Sequence, residues 1–173
     1  MTRPQLREIL DQVKAGNLTP EAAQTRILQF LRHAPFEDLG FARVDHHRSI
    51  RQGFPEVVFG PGKTPQQIAS IAERIVAAGD NLLVTRTNAD AFAEVSRVLP
   101  EAAFHEAARA ITLKVSDTPV GVGTIAVAAA GTADLPVAEE AVVCLAMMGN
   151  RVERLYHVGG AGLHRLLAVH GRL

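Results

Sequence analysis

The strongest constraint on the fold is an alternation of strand and helix patterns late in the chain. Residues 124–130 form a wholly apolar run, and a glycine-containing loop over 131–134 separates it from a helix predicted at 136–148. A second strand is predicted at 151–158, and another helix begins near residue 163. The apolar strand is typical of a parallel sheet covered on both faces, and the order strand, helix, strand, helix opens a doubly wound α/β sheet.

The preceding segment also mixes strands and helices. Thr64 and Pro65 predict the start of one helix through a capping box, and Asn88 predicts the N-cap of another. Strands are predicted at 40–48, at 53–59, at 82–86 and, in one or two pieces, within 102–115. This β-α-β patterning predicts a small α/β domain.

The predicted organisation has three parts. An apolar stripe at helical spacing begins at Leu6, and Thr19 caps a second helix whose first residue is Pro20. A turn-rich segment over 116–121 marks a domain boundary. We therefore predict a helical hairpin over 1–34, an N-terminal α/β domain over 35–117, and the opening strands and helices of a flavodoxin-like parallel-sheet domain over 118–173.

Charge and composition argue against several classes of protein. The chain has 18 Lys and Arg against 18 Asp and Glu, whereas general binders of nucleic acid or anionic membranes are basic. No apolar signal core follows Met1, and no apolar run is long enough to cross a bilayer. The single cysteine, Cys144, excludes an internal disulfide framework. We therefore predict a soluble cytoplasmic protein that binds neither nucleic acid nor membrane.

Two candidate binding loops follow the predicted parallel strands. Gly131 and Thr132 come directly after the apolar strand, where backbone N–H groups and a helix N-terminus bind phosphate. Asp134 lies in the same loop, and its alternative role is that of a helix N-cap. His164 and Arg165 follow the next strand; histidine suits proton transfer, and arginine suits phosphate or carboxylate. For this pair, a solvated helix start is the alternative.

A second polar cluster lies between the first predicted strands. It contains Asp45, His46, His47 and Arg48. A metal site is disfavoured because neighbouring residues on a strand point to opposite faces. A loop facing a substrate and a solvated turn both remain open. Lys63, in the turn before a predicted helix, is a further candidate for contact with a phosphate.

Three other patterns carry little functional information. Residues 60–64 resemble a P-loop, but that motif needs a glycine where this chain has Val57. Residues 121–126 match the spacing of a dinucleotide fingerprint, but they precede a strand instead of following one. Cys144 has apolar neighbours within a predicted helix, which favours a small core residue over a reactive thiol.

Several blocks of the sequence, in the same order, resemble the LarB family of nickel-pincer-cofactor biosynthesis proteins. The blocks are ARVDHHR at 42–48, QGFPEV at 52–57, GKTP at 62–65, AGTADLPVAEEA at 130–141, MGNRV at 148–152 and GLHRL at 162–166. The resemblance runs from about residue 38 onward. It implies a C-terminal domain similar to phosphoribosylaminoimidazole carboxylase of purine synthesis.

The resemblance also implies a reaction. The family is a pyridinium-3,5-biscarboxylic acid mononucleotide synthase, which carboxylates the pyridinium ring of nicotinic acid adenine dinucleotide and cleaves its phosphoanhydride, releasing AMP. Carbon dioxide or bicarbonate is the co-substrate, no cofactor is tightly bound, and magnesium is a candidate for assisting the cleavage. Such domains assemble as octamers.

Site residues follow from the same resemblance. It maps the phosphate-binding loop to Gly131, Thr132 and Asp134, and the His-Arg pair to His164 and Arg165. We predict that His164 and Asp134 are catalytic and that Arg165 binds substrate. The carboxylase pattern has serine at the positions of Thr132 and Ala133, so a hydroxyl contact is lost at the second position.

The chemistry needs a nucleophile, because a pyridinium ring and carbon dioxide are both electrophiles. The resemblance implies a cysteine for this step, in a part of the carboxylase-like domain without a counterpart here. We therefore expect a chain that is short at its C-terminus and largely inactive alone. A non-catalytic nucleotide-binding or assembly subunit is one alternative. A purine-type carboxylase relative is another, although the Asp45–Arg48 region argues against it.

Overall fold

The computed structural model describes residues 3–32, 36–45, 48, 56–117, 121–159 and 163–169. The fold is mixed α/β, as predicted. The helices are α1 (Arg3–Lys14), α2 (Pro20–Arg32), α3 (Pro65–Ala77), α4 (Ala89–Val98), α5 (Leu135–Met147) and α6 (Leu163–Val169). The strands are β1 (Phe36–Asp38), β2 (Arg43–Asp45), β3 (Val57–Phe59), β4 (Leu82–Thr85), β5 (Ala103–His105), β6 (Ala110–Leu113), β7 (Thr124–Ala129) and β8 (Arg151–Tyr156).

A four-stranded sheet forms the centre of the first α/β unit, which consists of β3 to β6 with α3 and α4. Its strand order is β3-β4-β6-β5. β3 and β4 are parallel, while β4 with β6 and β5 with β6 are antiparallel. All four residues of β4 and of β6 are buried, as their apolar sequences predict. Because β3 and β4 are parallel neighbours, the loops that follow them meet at one edge of the sheet.

Helices α3 and α4 cover one face of this sheet. Ile68 and Ile75 on α3 and Val95 on α4 belong to the same buried cluster as Ile111 on β6. Thr64 caps α3 as predicted: its hydroxyl accepts from the Gln67 N–H, and the Gln67 side chain accepts from the Thr64 N–H. This capping box fixes where α3 begins, and so it sets the position of the loop that precedes the helix.

Helix α5 covers the opposite face of the same sheet. Val143 on α5 packs with Leu83, Ala108 and Ala110. Successive strand residues point to opposite faces, so Leu83 reaches α5 while Leu82 and Val84 reach the first core. The first unit and the helix of the β7-α5-β8 unit therefore share an interface.

The β7-α5-β8 unit is parallel, as predicted, with Thr124 opposite Arg151 and Ala129 opposite Tyr156. The expectation of a strand covered on both faces is wrong for β7. Ala129 is buried, but Ile125 is 37% exposed and Val127 is half-buried. The apolar sequence of β7 therefore allows the strand to be buried, but in this structure most of its side chains remain at least partly exposed.

One hairpin was not predicted. β1 pairs with β2 in antiparallel register, and the predicted strand 40–48 is shorter than expected. Gly40 adopts a φ of 81° in the turn between them, and its N–H donates to Asp38 at 2.8 Å. Within the described residues, no helix is long and apolar enough to cross a membrane.

Candidate functional site

The loops after β7 and β8 meet at the carboxyl edge of that strand pair. The Val158 N–H donates to the Ala129 carbonyl at 3.1 Å. A Cβ built on Gly159 would lie 3.0 Å from the Ala130 Cβ, so a glycine allows the two loops to approach closely. The loop after β7, which carries Gly131, and the start of the segment after β8 therefore lie at one sheet edge, while the place of His164 and Arg165 at that edge stays a prediction.

The Gly131 loop forms a single 3₁₀ turn over Thr132–Asp134. The Gly131 N–H donates to Asp134 Oδ2 at 2.9 Å, and all the loop residues are exposed. In this conformation a carboxylate oxygen accepts from an N–H that we had assigned to phosphate. Asp134 therefore holds the turn closed, and it makes no side-chain cap on α5.

The remaining predicted residues are spread over the molecule. His164 and Arg165 are exposed on α6. The backbone N–H of Asp45 donates to a Glu56 carboxylate oxygen at 2.7 Å, and Arg48 is half-buried. His46 and His47 lie outside the described residues. The substrate-facing role of the Asp45–Arg48 cluster therefore stays a prediction.

One ion-pair cluster beside the β7 and β8 edge was missed by sequence reasoning. Arg154 on β8 donates to both carboxylate oxygens of Glu139 on α5, at 3.0 and 3.2 Å, and the Tyr156 hydroxyl donates to the same group at 2.8 Å. The Arg154 hydrogen bond lowers the pKa of Glu139 below its ordinary value, and burial raises the pKa of Tyr156. The cluster ties α5 to β8.

Replacing Glu139 by glutamine is expected to make stability less dependent on pH. Because the folded-state pKa of Glu139 is lowered, its carboxylate stabilises the fold above the ordinary value of 4.5 and this contribution is lost as the pH falls. We expect E139Q to unfold with a free energy lower by at most about 1 kcal/mol at neutral pH. Urea titrations check this; an equal deficit in strong acid would contradict it.

A second edge, at the carboxyl ends of β3 and β4, contains a better-formed concavity. We name it the β3/β4 pocket: it has a volume of about 210 Å³ and lies between the first turns of α3 and α4. The described residues that line it include Gly60, Lys63, Arg86, Thr87 and Asn88. Parallel strand ends preceding helix N-termini are common ligand sites in α/β folds.

Arg86 is held in this pocket by its backbone and its neighbours. It adopts a left-handed φ of 51°, which is uncommon for a residue with a side chain. Its Nε donates to Glu140 on α5 at 3.2 Å, and its guanidinium lies 5.7 Å from the centre of the Phe59 ring. Arg86 therefore connects the pocket to the helix of the β7-α5-β8 unit.

Lys63 is the predicted binding residue that lines this pocket. Its Nζ donates to the Phe59 carbonyl at 2.8 Å, which holds the side chain beside the end of β3. Sequence reasoning missed Arg86 and Thr87. The available signal was their place at the end of the predicted strand 82–86 and directly before the N-cap Asn88.

Cys144 lies on α5 beside the second core cluster. Burial is the main cause that raises the pKa of its thiol above the ordinary value, and Glu140 adds to it. A raised pKa keeps the thiol protonated at neutral pH, and the thiolate is the nucleophile. The environment agrees with the prediction of a packing role.

Similarity to known proteins places the β3/β4 pocket in a defined family region. Residues 36–116 match the family model described as LarB/PurE-like N-terminal domain. This match supports the LarB/PurE family. The matched region contains β1 to β6, α3 and α4, and so it contains the β3/β4 pocket. The β7-α5-β8 unit lies outside it.

A curated relative gives similarity over a longer stretch. An uncharacterized protein of Methanocaldococcus jannaschii is 29% identical over 167 residues, which cover 93% of this chain. The same alignment covers 64% of the relative's length. The similarity therefore extends through the β7-α5-β8 unit as well as the matched domain.

Proposed function

We propose that this chain acts in a LarB-type synthase reaction on nicotinic acid adenine dinucleotide. The reaction carboxylates the pyridinium ring and cleaves the phosphoanhydride, and AMP leaves. The observation that carries the proposal is the LarB/PurE-like domain at residues 36–116, joined through α5 to a parallel β-α-β unit that contains the Gly131 loop and precedes α6, on which His164 and Arg165 lie. The LarB/PurE family is carboxylase-related, which fits this class of reaction.

The described residues suit binding of the dinucleotide. The diphosphate is anionic; Lys63 and Arg86 line the β3/β4 pocket beside two helix N-termini, and Arg165 is exposed on α6. Charge-assisted hydrogen bonds from arginine are well matched to phosphate oxygens. Opening the Gly131 loop would free an N–H that Asp134 now occupies. His164 is the candidate for proton transfer.

The nucleophile that the ring carboxylation needs is not assigned to Cys144. Its half-buried position and raised pKa oppose thiolate formation. The same observation favours a second candidate function, a nucleotide-binding subunit without catalysis. Both functions require binding of the dinucleotide, but only the synthase converts it to products.

Mass spectrometry of the full chain with the dinucleotide, bicarbonate and magnesium tests the proposal. We expect AMP and the dicarboxylated mononucleotide to appear only at a low rate, because the ring carboxylation needs a nucleophile and none of the described residues is assigned to that step. Arg165→Gln should weaken binding of the dinucleotide. Arg97→Gln, which removes an exposed ion pair with Glu94, should leave that binding unchanged. Saturable binding without either product would contradict catalysis and support the binding subunit. No binding and no product would contradict both.

The predicted octamer, magnesium as a candidate for assisting the cleavage, and the use of bicarbonate belong to the same proposal. Among the described residues, no group of three or more His, Cys, Asp and Glu is arranged to hold a metal ion. A magnesium ion would therefore be expected to enter with the diphosphate, which supplies hard oxygen ligands itself. Omitting magnesium from the assay separates binding from cleavage.

A further inference from the structure

We propose that the β3/β4 pocket binds a phosphate or diphosphate group, and that Thr87, Lys63 and Arg86 supply the recognition. This deepens the proposed function and rests on it only for the source of the phosphate. The pocket itself is argued from the geometry of the described residues. Its site residues Arg86 and Thr87 are additional to the sequence-predicted ones.

The first observation is an unsatisfied hydroxyl. Thr87 is 7% exposed, and its Oγ1 is buried without a hydrogen-bond partner among the described residues. Buried polar groups almost always have a partner, and an orphaned one requires an explanation. Thr87 lines the pocket, and a turn of its side chain toward the pocket would let a ligand oxygen accept a hydrogen bond from this hydroxyl. Its backbone N–H already donates to the Arg109 carbonyl at 2.8 Å, which holds the residue in place.

The second observation is the charge around that hydroxyl. None of the described residues lining the pocket is acidic, while Lys63 and Arg86 are cationic. The Nε–H of Arg86 donates to the Glu140 carboxylate, so the terminal guanidinium nitrogens remain as donors. The ammonium group of Lys63 donates one N–H to the Phe59 carbonyl and has two further N–H donors. The pocket is therefore selective for an anion with several acceptor oxygens.

The third observation is the position of the helices. The pocket lies at the first turns of α3 and α4, where the positive ends of both helix dipoles favour a negative charge. Pro65 at the first position of α3 has no N–H, the Thr64 capping box uses others, and the Asn88 side chain accepts from the Ala91 N–H in the first turn of α4, so we assign the contribution of both helices to their dipoles. Asn88 and Ala91 on that turn line the pocket.

Size separates a phosphate group from a whole nucleotide. A volume of about 210 Å³ is below the range of roughly 300–1,000 Å³ that pockets for drug-sized ligands occupy. A phosphate or diphosphate therefore fits inside, and any attached nucleoside extends outward. The Phe59 ring, which is 49% accessible, lies beside Arg86.

The test uses Thr87→Val, because valine keeps the shape and removes the hydroxyl. Amide chemical shifts of the full chain are followed during titration with inorganic diphosphate, AMP, nicotinic acid adenine dinucleotide and, as a non-phosphate anion, acetate. We expect diphosphate to shift the amides of residues 60–64 and 86–91 saturably. T87V should bind at least about tenfold more weakly, yet its Tm should be unchanged or higher because the lost hydroxyl had no partner.

Two further variants separate recognition from folding. Thr87→Ser keeps a hydroxyl and should keep most of the affinity, while Arg97→Gln, at the far end of α4, should leave affinity unchanged. No saturable shift with diphosphate, equal binding of acetate, or a T87V variant that binds as well as the wild type would each overturn the proposal. Diphosphate binding without binding of the dinucleotide would support the pocket and contradict the proposed function. Tighter binding of AMP than of diphosphate would identify a nucleotide as the source.

Discussion

Gly60→Ala is expected to lower the free energy of unfolding by about 3 kcal/mol. A Cβ at this position would lie 2.8 Å from the Arg86 carbonyl oxygen and 2.9 Å from that of Thr85. Both atoms belong to the backbone, and the Gly60 N–H already donates to the Thr85 carbonyl at 2.9 Å. A methyl group therefore forces β3 and β4 apart at the edge where the β3/β4 pocket lies.

Gly62→Ala in the same loop is the matched control. Gly62 has a φ of 80° with nothing near its added Cβ, so alanine there costs only the left-handed conformation, about 1 kcal/mol. Urea unfolding of the two variants checks the difference. Equal losses would contradict the close packing of the Gly60 loop on the end of β4. The pocket account also expects G60A to lose diphosphate binding under conditions where it is still folded.

Ile111→Ala is expected to cost about 4 kcal/mol of stability. Ile111 lies on β6, has no exposed surface and belongs to the cluster that packs α3 and α4 on the sheet. Removing its side chain beyond Cβ leaves a cavity at the centre of the first unit. The four-stranded sheet cannot close that cavity without moving strands that are paired on both sides.

Ile125→Ala provides the comparison on the other sheet. Ile125 is 37% exposed on β7, so its replacement should cost less than about 1.5 kcal/mol. Thermal or urea unfolding of both variants measures the ratio. If I125A were as damaging as I111A, the β7 strand would be buried in solution, and our correction of the sequence prediction would be wrong.

The fold was predictable where local chemistry decides the structure. The capping box at Thr64 and the N-cap at Asn88 each depend on neighbouring residues, so α3 and α4 begin where they were expected. Helix α5 spans Leu135–Met147, close to the predicted 136–148. The hairpin of β1 and β2 was missed because each strand has three residues. A periodicity needs a longer segment to be recognised.

Burial of β7 was mispredicted for a different reason. The strand sequence is apolar, but exposure depends on which elements pack against it, and composition does not contain that information. In this structure α5 directs Val143 toward the first sheet.

The candidate site was predicted in part. Gly131, Thr132 and Asp134 were expected to share a loop, and they do. The hydrogen bond by which Asp134 occupies the Gly131 N–H depends on turn geometry that the sequence does not specify. Lys63 was proposed on charge alone. Its neighbours Arg86 and Thr87 are more than twenty residues away along the chain, and only the parallel pairing of β3 with β4 brings them together.

The most direct test of the proposed reaction follows the carbon atom that it adds. The full chain is incubated with nicotinic acid adenine dinucleotide, magnesium and ¹³C-labelled bicarbonate, and the pyridinium mononucleotide is isolated for mass spectrometry. The account predicts a dicarboxylated mononucleotide that carries the label on its new carboxyl group, together with AMP. AMP released without any labelled product, or a dinucleotide that remains intact, would contradict it.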